Sequence, residues 1–277
     1  MPKNPQTMIR TVLAVILMIG LALIQLRWGE APAPKSSPPP AASPETRAPV
    51  QPEASTEPEV APAETVPVSV TAPKAPVSDG DFDFYLLTLS WSPTHCSGDE
   101  GAGRDDDLQC RSGRPYGFVL HGLWPQNERG WPESCSSDEP RRVAEQVMQE
   151  ALKLSPSEKL VQHEWEKHGT CSGLSQADYY ASAALAVESV RVPKAFKQPQ
   201  SMTTITANDL RRAFLDANPG LSQSGILVTC RRNDIGEVRV CLDKELRPRA
   251  CSRETLKSHC GGREARMLAV RGNWPRN

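Results

Sequence analysis

The chain has 277 residues and is nearly neutral, with 32 Lys and Arg against 33 Asp and Glu. That length suits one or two domains, and so balanced a total says little about partners, leaving the distribution of charge to be read instead. Its eight cysteines include no C-x-x-C pair, which argues against a zinc ribbon.

In chain order, residues 1–30 come first. Lys3 and Arg10 precede a run from 11 to 26 that is apolar apart from Thr11 and Gln25. This is the pattern of an N-terminal signal-anchor or signal peptide. The run is long for a signal core and slightly short for a full span. No small-x-small site follows it directly, so an uncleaved anchor is expected, with cleavage near Ala31-Pro32-Ala33 as the alternative. Residues 31–80 are dominated by Pro, Ala, Ser, Thr, Val and Glu and contain no aromatic side chain. Such a segment buries too little surface to offset its ordering entropy and reads as a disordered Pro/Ala-rich tether. All eight cysteines follow the tether. An even number behind an export signal points to disulfides in an oxidising compartment. The expected location is therefore the periplasm or another extracytoplasmic space. There the protein would be tethered to the cytoplasmic membrane by 11–26, or soluble if cleaved.

Residues 81–277 suit one domain. Stretches 82–91 and 116–121 read as strands. Helical patterns cover 138–154, a segment opening at Ser155, 175–191 and 206–217. Residues 226–231 and 237–242 alternate as a hairpin around Asp234-Ile235-Gly236. Strands and helices mix without a regular β-α-β order, which gives the α+β class. The expected architecture is one disulfide-stabilised domain with a central, mostly antiparallel sheet flanked by helices. From Cys230 onward twelve Lys and Arg face six Asp and Glu. This excess is compatible with a polyanionic partner or with a solvated surface.

Within the second helical stretch, "HEWEKHGTC" (His163 to Cys171) looks at first like a zinc-protease motif. That motif needs its histidines four residues apart. Here Lys167, a repelling cation, holds that position. His168 comes at five, where a helix turning about 100° per residue puts the two rings roughly 140° apart. Helical spacing pairs His163 with Lys167 and Glu164 with His168 on one polar face. Ser155-Pro156-Ser157-Glu158 supplies an N-cap, a first-turn Pro and a capping-box Glu, and Gly169 a C-cap.

"FVLHGLWPQ" (Phe118 to Gln126) adds a partner. His121 ends an apolar strand, Gly122 lets the chain turn and a ligand approach, and Trp124 offers a stacking surface before Pro125. The two stretches resemble the paired active-site motifs of the ribonuclease T2 family, metal-free acid endoribonucleases of secretory compartments. The likeness extends over most of 82–277, including "FYLLTLSW" and "CRRNDIGEVRVCLD".

The resemblance implies cleavage of single-stranded RNA through a 2′,3′-cyclic phosphate to a 3′-phosphate, with no metal and no other cofactor. The chemistry calls for a base at the 2′-hydroxyl and an acid at the departing 5′-oxygen, which imidazoles suit. His121 and His168 would form the pair, His168 favoured as base and His121 as acid, with the order open. Lys167 would neutralise charge on the phosphorane, Glu164 would orient His168 and help shape that site, and His163 would hold a phosphate oxygen. Trp124 matches a base-stacking position and Gln126 lies where the base edge is contacted. Leu160 and Val161 replace aromatics common in relatives, which implies low base specificity. Trp165 reads as core packing, and His95 and His259 as structural or surface residues. A monomer with no obligate protein partner is expected, touching the membrane only through an uncleaved N-terminal segment.

Eight cysteines allow 105 pairings. Cys135–Cys171 would clamp the two motifs together, and the resemblance favours it as well. Cys96–Cys110 would close the Gly/Asp-rich loop 97–109. Cys230–Cys241 would cross the hairpin, leaving Cys251–Cys260.

Overall fold

The computed structural model describes residues 80–98 and 107–275, together with 76, 101 and 103. The expected membrane segment and almost all of the expected tether lie outside the described residues.

The first strand organises the rest. β1 (Phe84–Trp91) is a nearly continuous apolar run, as a strand covered on both faces should be. Tyr85, Leu87, Leu89 and Trp91 enter the main core, while Phe84 and Leu86 enter a second, smaller one with Leu227, Cys241 and Cys251. Two short helices follow, α1 (Ser92–Cys96) and α2 (Asp107–Cys110). β2 (Phe118–Gln126) then pairs antiparallel with β1. β2 ends the sheet, and Pro125 is tolerated there because an edge strand has a side with no ladder to donate to.

β2 does not stop at His121, as the sequence suggested. It carries a bulge there instead. Thr88 pairs with Gly122 and Leu89 with Leu120, so His121 is the extra residue. The bulge also reconciles Leu120 and Leu123, three positions apart and both in the main core, with a period-two strand.

Three helices follow: α3 (Glu145–Ala151), α4 (Glu158–Lys167) and α5 (Gln176–Ser189). The helix expected over 138–154 is cut to α3. The carbonyl of Pro140 accepts hydrogen bonds from Trp165 Nε1 and Gln176 Nε2, and Gln162 Oε1 accepts from the Val143 amide. These side chains give the segment ahead of α3 its hydrogen bonds without a helical ladder. α4 starts later than expected. Its N-cap is Ser157, whose hydroxyl accepts from the Leu160 amide, and not Ser155. Gly169 is not a left-handed C-cap. It opens a 3-10 turn, and a Cβ there would lie 2.3 Å from the Trp165 ring.

β3 (Thr203–Thr206), unforeseen, leads into α6 (Ala207–Ala217), capped by Thr206 through a bond from the Asp209 amide. β4 (Ile226–Arg231) and β5 (Asp234–Leu242) form the hairpin, with β6 (Glu264–Met267) beyond. The hairpin turns at Arg232 and Asn233, earlier than expected, with Arg232 at φ 55°. Gly236 is instead the extra residue of a second bulge, since Thr229 pairs with Glu237 and Cys230 with Ile235. The sheet runs β2-β1-β5-β6-β3, with β4 also on β5. It is antiparallel except for the single β5–β6 pairing of Asp234 with Arg266.

Bridges join Cys96 to Cys110 and Cys135 to Cys171. The expected Cys230–Cys241 and Cys251–Cys260 pairs are replaced by Cys230–Cys260 and Cys241–Cys251. Strand register explains the change. Cys230 lies opposite Ile235, and Cys241 is six residues further along β5, about 20 Å away at the usual rise per residue. A disulfide needs Cα atoms about 5–6 Å apart. In the Cys241→Ser variant, thiol titration and peptide mapping should find one free thiol, at Cys251, with the other three bridges intact. The lost bridge should cost about 2–4 kcal/mol in denaturant unfolding.

Candidate active site

The bulge turns His121 out of the strand alternation toward a cleft of about 540 Å³. Across it, the C-terminal half of α4 and the residue just past its end supply His163, Glu164, Lys167 and His168. Trp124, Gln126 and Arg239 also line the cleft, which is bounded elsewhere by Trp131 and by Ser252, Glu254, Thr255 and Lys257.

His121 has a carboxylate near each ring nitrogen but is hydrogen-bonded through Nδ1. Nδ1 lies 2.7 Å from Glu237 Oε1 and 3.2 Å from the Ser90 hydroxyl, while Nε2 is 3.6 Å from Glu164 Oε1. Burial works against the imidazolium here. The Glu237 hydrogen bond and the charges of Glu164 and Glu237 outweigh it and hold the pKa above its ordinary value.

Glu164 is only 4% exposed and accepts a 2.6 Å bond from Trp124 Nε1. Burial pushes its carboxyl up to about 7, against the pull of His121, the Trp124 hydrogen bond and Lys167. Gly122 makes this contact possible. A Cβ there would stand 2.0 Å from Glu164 Oε2 and 2.3 Å from Trp124 Nε1. Close approach, not the expected turn, explains the glycine.

His168 stacks on Trp124, with ring centres 5.1 Å apart and planes at 27°. Its Nδ1 is buried and has no hydrogen-bond partner. Burial, then the charges of Lys167, His163 and His121, lower its pKa to about 3, so the ring is neutral at neutral pH. Glu164 reaches His121 and Trp124 rather than orienting the His168 ring as expected. Its tie to His168 is a main-chain one, the His168 amide donating to the Glu164 carbonyl at 3.0 Å.

The remaining expected residues line the same cleft in different states. His163 is exposed, and Lys167 is 3.7 Å from Glu133. Gln126 is buried, its amide donating to the Pro125 carbonyl at 2.9 Å. The Trp124 ring, expected to stack on a base, already has His168 against it and the Arg239 guanidinium 5.0 Å from its centre. Val161 and Trp165 are both buried in the main core, and neither borders the cleft. Among the described residues, no three His, Cys, Asp or Glu side chains converge as a metal-ligand set.

Sequence reasoning missed Glu237, Arg239 and Trp131. Glu237 and Arg239 belong to β5, far along the chain, and nothing in the two motifs points to them. The one available signal was an acid and a base on alternate positions of a strand whose remaining residues from 237 to 242 are apolar. Trp131, 54% exposed, was the sort of large surface aromatic that marks a binding face.

Two imidazoles of opposite tuning face one cleft, and comparison with known proteins gives the chain a family. The Ribonuclease T2 family model matches residues 82–251. The chain belongs to the ribonuclease T2 family. It is 52% identical over 105 residues to a ribonuclease of Aeromonas hydrophila, covering 38% of this chain and 45% of that one. It is 31% identical over 189 residues to a Haemophilus influenzae protein named "Probable ribonuclease", covering 64% and 62%. The chain thus spans about half the length of the curated relatives it matches. Among solved structures, an RNase-related protein from Calystegia sepium superposes with a TM-score of 0.53 at 20% identity, over 69% of this chain and 98% of that one. This likeness concerns the fold.

Two expectations follow from the geometry. Gly122→Ala should lower any activity at this site at least tenfold, because it displaces Glu164 or Trp124; steady-state rates beside unchanged far-ultraviolet dichroism check this. Glu164, with a folded pKa near 7 against 4.5 for the free side chain, holds its proton in the folded state where the unfolded chain has released it. Stability from this residue therefore falls as pH rises from about 4.5 to 7. Glu164→Gln should raise stability above pH 7 by on the order of 3 kcal/mol and change little at pH 4, as read from melting curves across pH.

Proposed function

We propose that the chain is an endoribonuclease that cleaves single-stranded RNA in two acid–base steps without a metal. The single observation that carries this reading is the opposite tuning of two imidazoles on one cleft: His121 held toward its charged form, His168 held neutral. In the first step neutral His168 takes the proton of the ribose 2′-hydroxyl, whose oxygen attacks phosphorus. The bond to the 5′-oxygen breaks, and His121 protonates that oxygen as it leaves. The product is a 2′,3′-cyclic phosphate. In the second step the roles reverse: His121 takes a proton from water, whose oxygen attacks phosphorus; the bond from phosphorus to the 2′-oxygen breaks, His168 returns its proton to that oxygen, and a 3′-phosphate remains.

Charge gathers on the phosphoryl oxygens between these steps. Lys167 supplies a fixed cation at the cleft wall, and Glu164, titrating near 7, offers a protonated carboxyl that can donate to an equatorial oxygen. His163 would hold a further phosphate oxygen. Low base specificity belongs to the same proposal, although neither Leu160 nor Val161 lines the cleft. The proposal extends to location: a domain outside the cytoplasmic membrane, tethered by residues 11–26 and acting as a monomer.

Incubation of the purified chain with single-stranded RNA in EDTA tests the reading. RNA should be degraded and mass spectrometry should find 2′,3′-cyclic ends early and 3′-phosphates late. EDTA-sensitive cleavage would indicate a metalloenzyme, and retention of RNA without cleavage a binding module. His121→Ala and His168→Ala should each lower turnover about a hundredfold or more, with the double variant little worse than either.

A further inference from the structure

Glu237 is a carboxylate that this chemistry does not use. In the β5 ladder it lies opposite Ser90, beside the bulge at Gly236. Its Oε2 accepts two hydrogen bonds from Arg239, at 2.8 and 2.6 Å, and a third from the Thr229 hydroxyl at 3.3 Å. That oxygen is saturated. Oε1 alone is left for the imidazole, at 2.7 Å from His121 Nδ1. An anionic oxygen only accepts, so Nδ1 carries the hydrogen in either charge state of the ring. Nε2 is then the atom free to exchange a proton.

We infer that Glu237 is a positioning residue for His121: anchored by Arg239 and Thr229, it keeps a hydrogen on Nδ1 and thereby makes Nε2 the atom that gives the proton to the departing 5′-oxygen. This rests on the reading of the cleft as an RNA-cleaving site. As the bond from phosphorus to the 5′-oxygen breaks, its electron pair stays on that oxygen, which takes the Nε2 hydrogen. The ring is left neutral with Nδ1–H still on Glu237. Nε2, now a lone pair, is ready to take a proton from water in the second step.

The charged and titratable groups facing this ring are Glu237 and Arg239 from β5, Glu164 from α4 with Lys167 near it, and His168 past the helix end. Glu237 is the one among them that hydrogen-bonds the ring. Burial opposes ionisation of Glu237, yet the His121 hydrogen bond and the Arg239 charge bring its carboxyl down to about 2, so it is anionic throughout the working range.

Glu237→Gln tests this with little change of shape. Arg239 has only donors to offer and will keep the amide oxygen, which turns the amide NH₂ toward Nδ1 and makes that nitrogen an acceptor. The ring then keeps its hydrogen on Nε2 as a neutral imidazole, a far weaker acid. Nuclear magnetic resonance of the histidine rings in the full chain should show the His121 titration midpoint falling by at least one pH unit, with the neutral ring changing tautomer. Cleavage of a dinucleotide should fall about a hundredfold or more. Cleavage of a nucleoside 3′-(4-nitrophenyl phosphate), whose leaving group departs without a proton, should be nearly unchanged. An unaltered His121 midpoint and tautomer would overturn the inference, and so would equal losses on the two substrates. If the wild-type chain cleaves neither substrate, the ribonuclease reading fails and the ring titration alone decides the role of Glu237. Should Glu237→Gln not fold, Glu237→Met, which also removes the anionic acceptor, is read by the His121 midpoint and by the two substrates.

Discussion

One extra residue in β2 is the constraint on which the site depends. A strand with strict alternation cannot send both Leu120 and Leu123 into the core, yet both are there. The bulge absorbs the odd residue, and that residue is His121. A bulge re-aims a side chain and increases local twist. Here it sets His121 across β1 from Glu237, over Ser90, and leaves Gly122 as the bare patch of backbone against which Glu164 and Trp124 meet. Packing in the core and placement of His121 are therefore one requirement on the same four residues, 120–123.

The electrostatics follow from which groups find a partner once buried. Desolvation alone pushes an imidazole toward its neutral form and a carboxyl toward its protonated form. His168, with a buried, unpartnered Nδ1 and cations nearby, goes that way, and so does Glu164. His121 and Glu237 go against it because each is the other's hydrogen-bond partner. Four groups within one cleft and its floor are thus sorted into two that resist charge and two that keep it. Such separation of neighbouring titrating groups is what assigns acid and base roles.

The part of this that was legible in the sequence is the part carried by local spacing. The two histidine motifs, the leading apolar strand, the helices and the hairpin each announce themselves within a dozen residues, and the likeness to a known family came from those same stretches. What stayed hidden needed strand register. Glu237 is ordinary until β5 is laid against β1. The hairpin cysteines looked close because a hairpin brings its arms together, but the arms are offset along the ladder, and the cysteines lie at its two ends. The N-cap of α4 was misplaced by two residues for a milder reason: Ser155 and Ser157 are both good caps, and local spacing does not choose between them. β3 and β6 are too short to show a period.

The corrected disulfides give the far wall of the cleft an unusual mounting. Ser252, Glu254, Thr255 and Lys257 lie between Cys251 and Cys260. Had those two cysteines joined each other, the wall would be a closed ring, free to tilt as a unit. Instead Cys251 is bonded to the end of β5 and Cys260 to the end of β4, so the wall is strung along the hairpin like a cord between two posts. Side chains in between add to this anchorage, Leu256 packing on the smaller core and Glu254 accepting from the Gly130 amide. Both ends of the wall are thus tied to the same hairpin that carries Glu237 and Arg239, so that side of the cleft and the partner of His121 share one mounting.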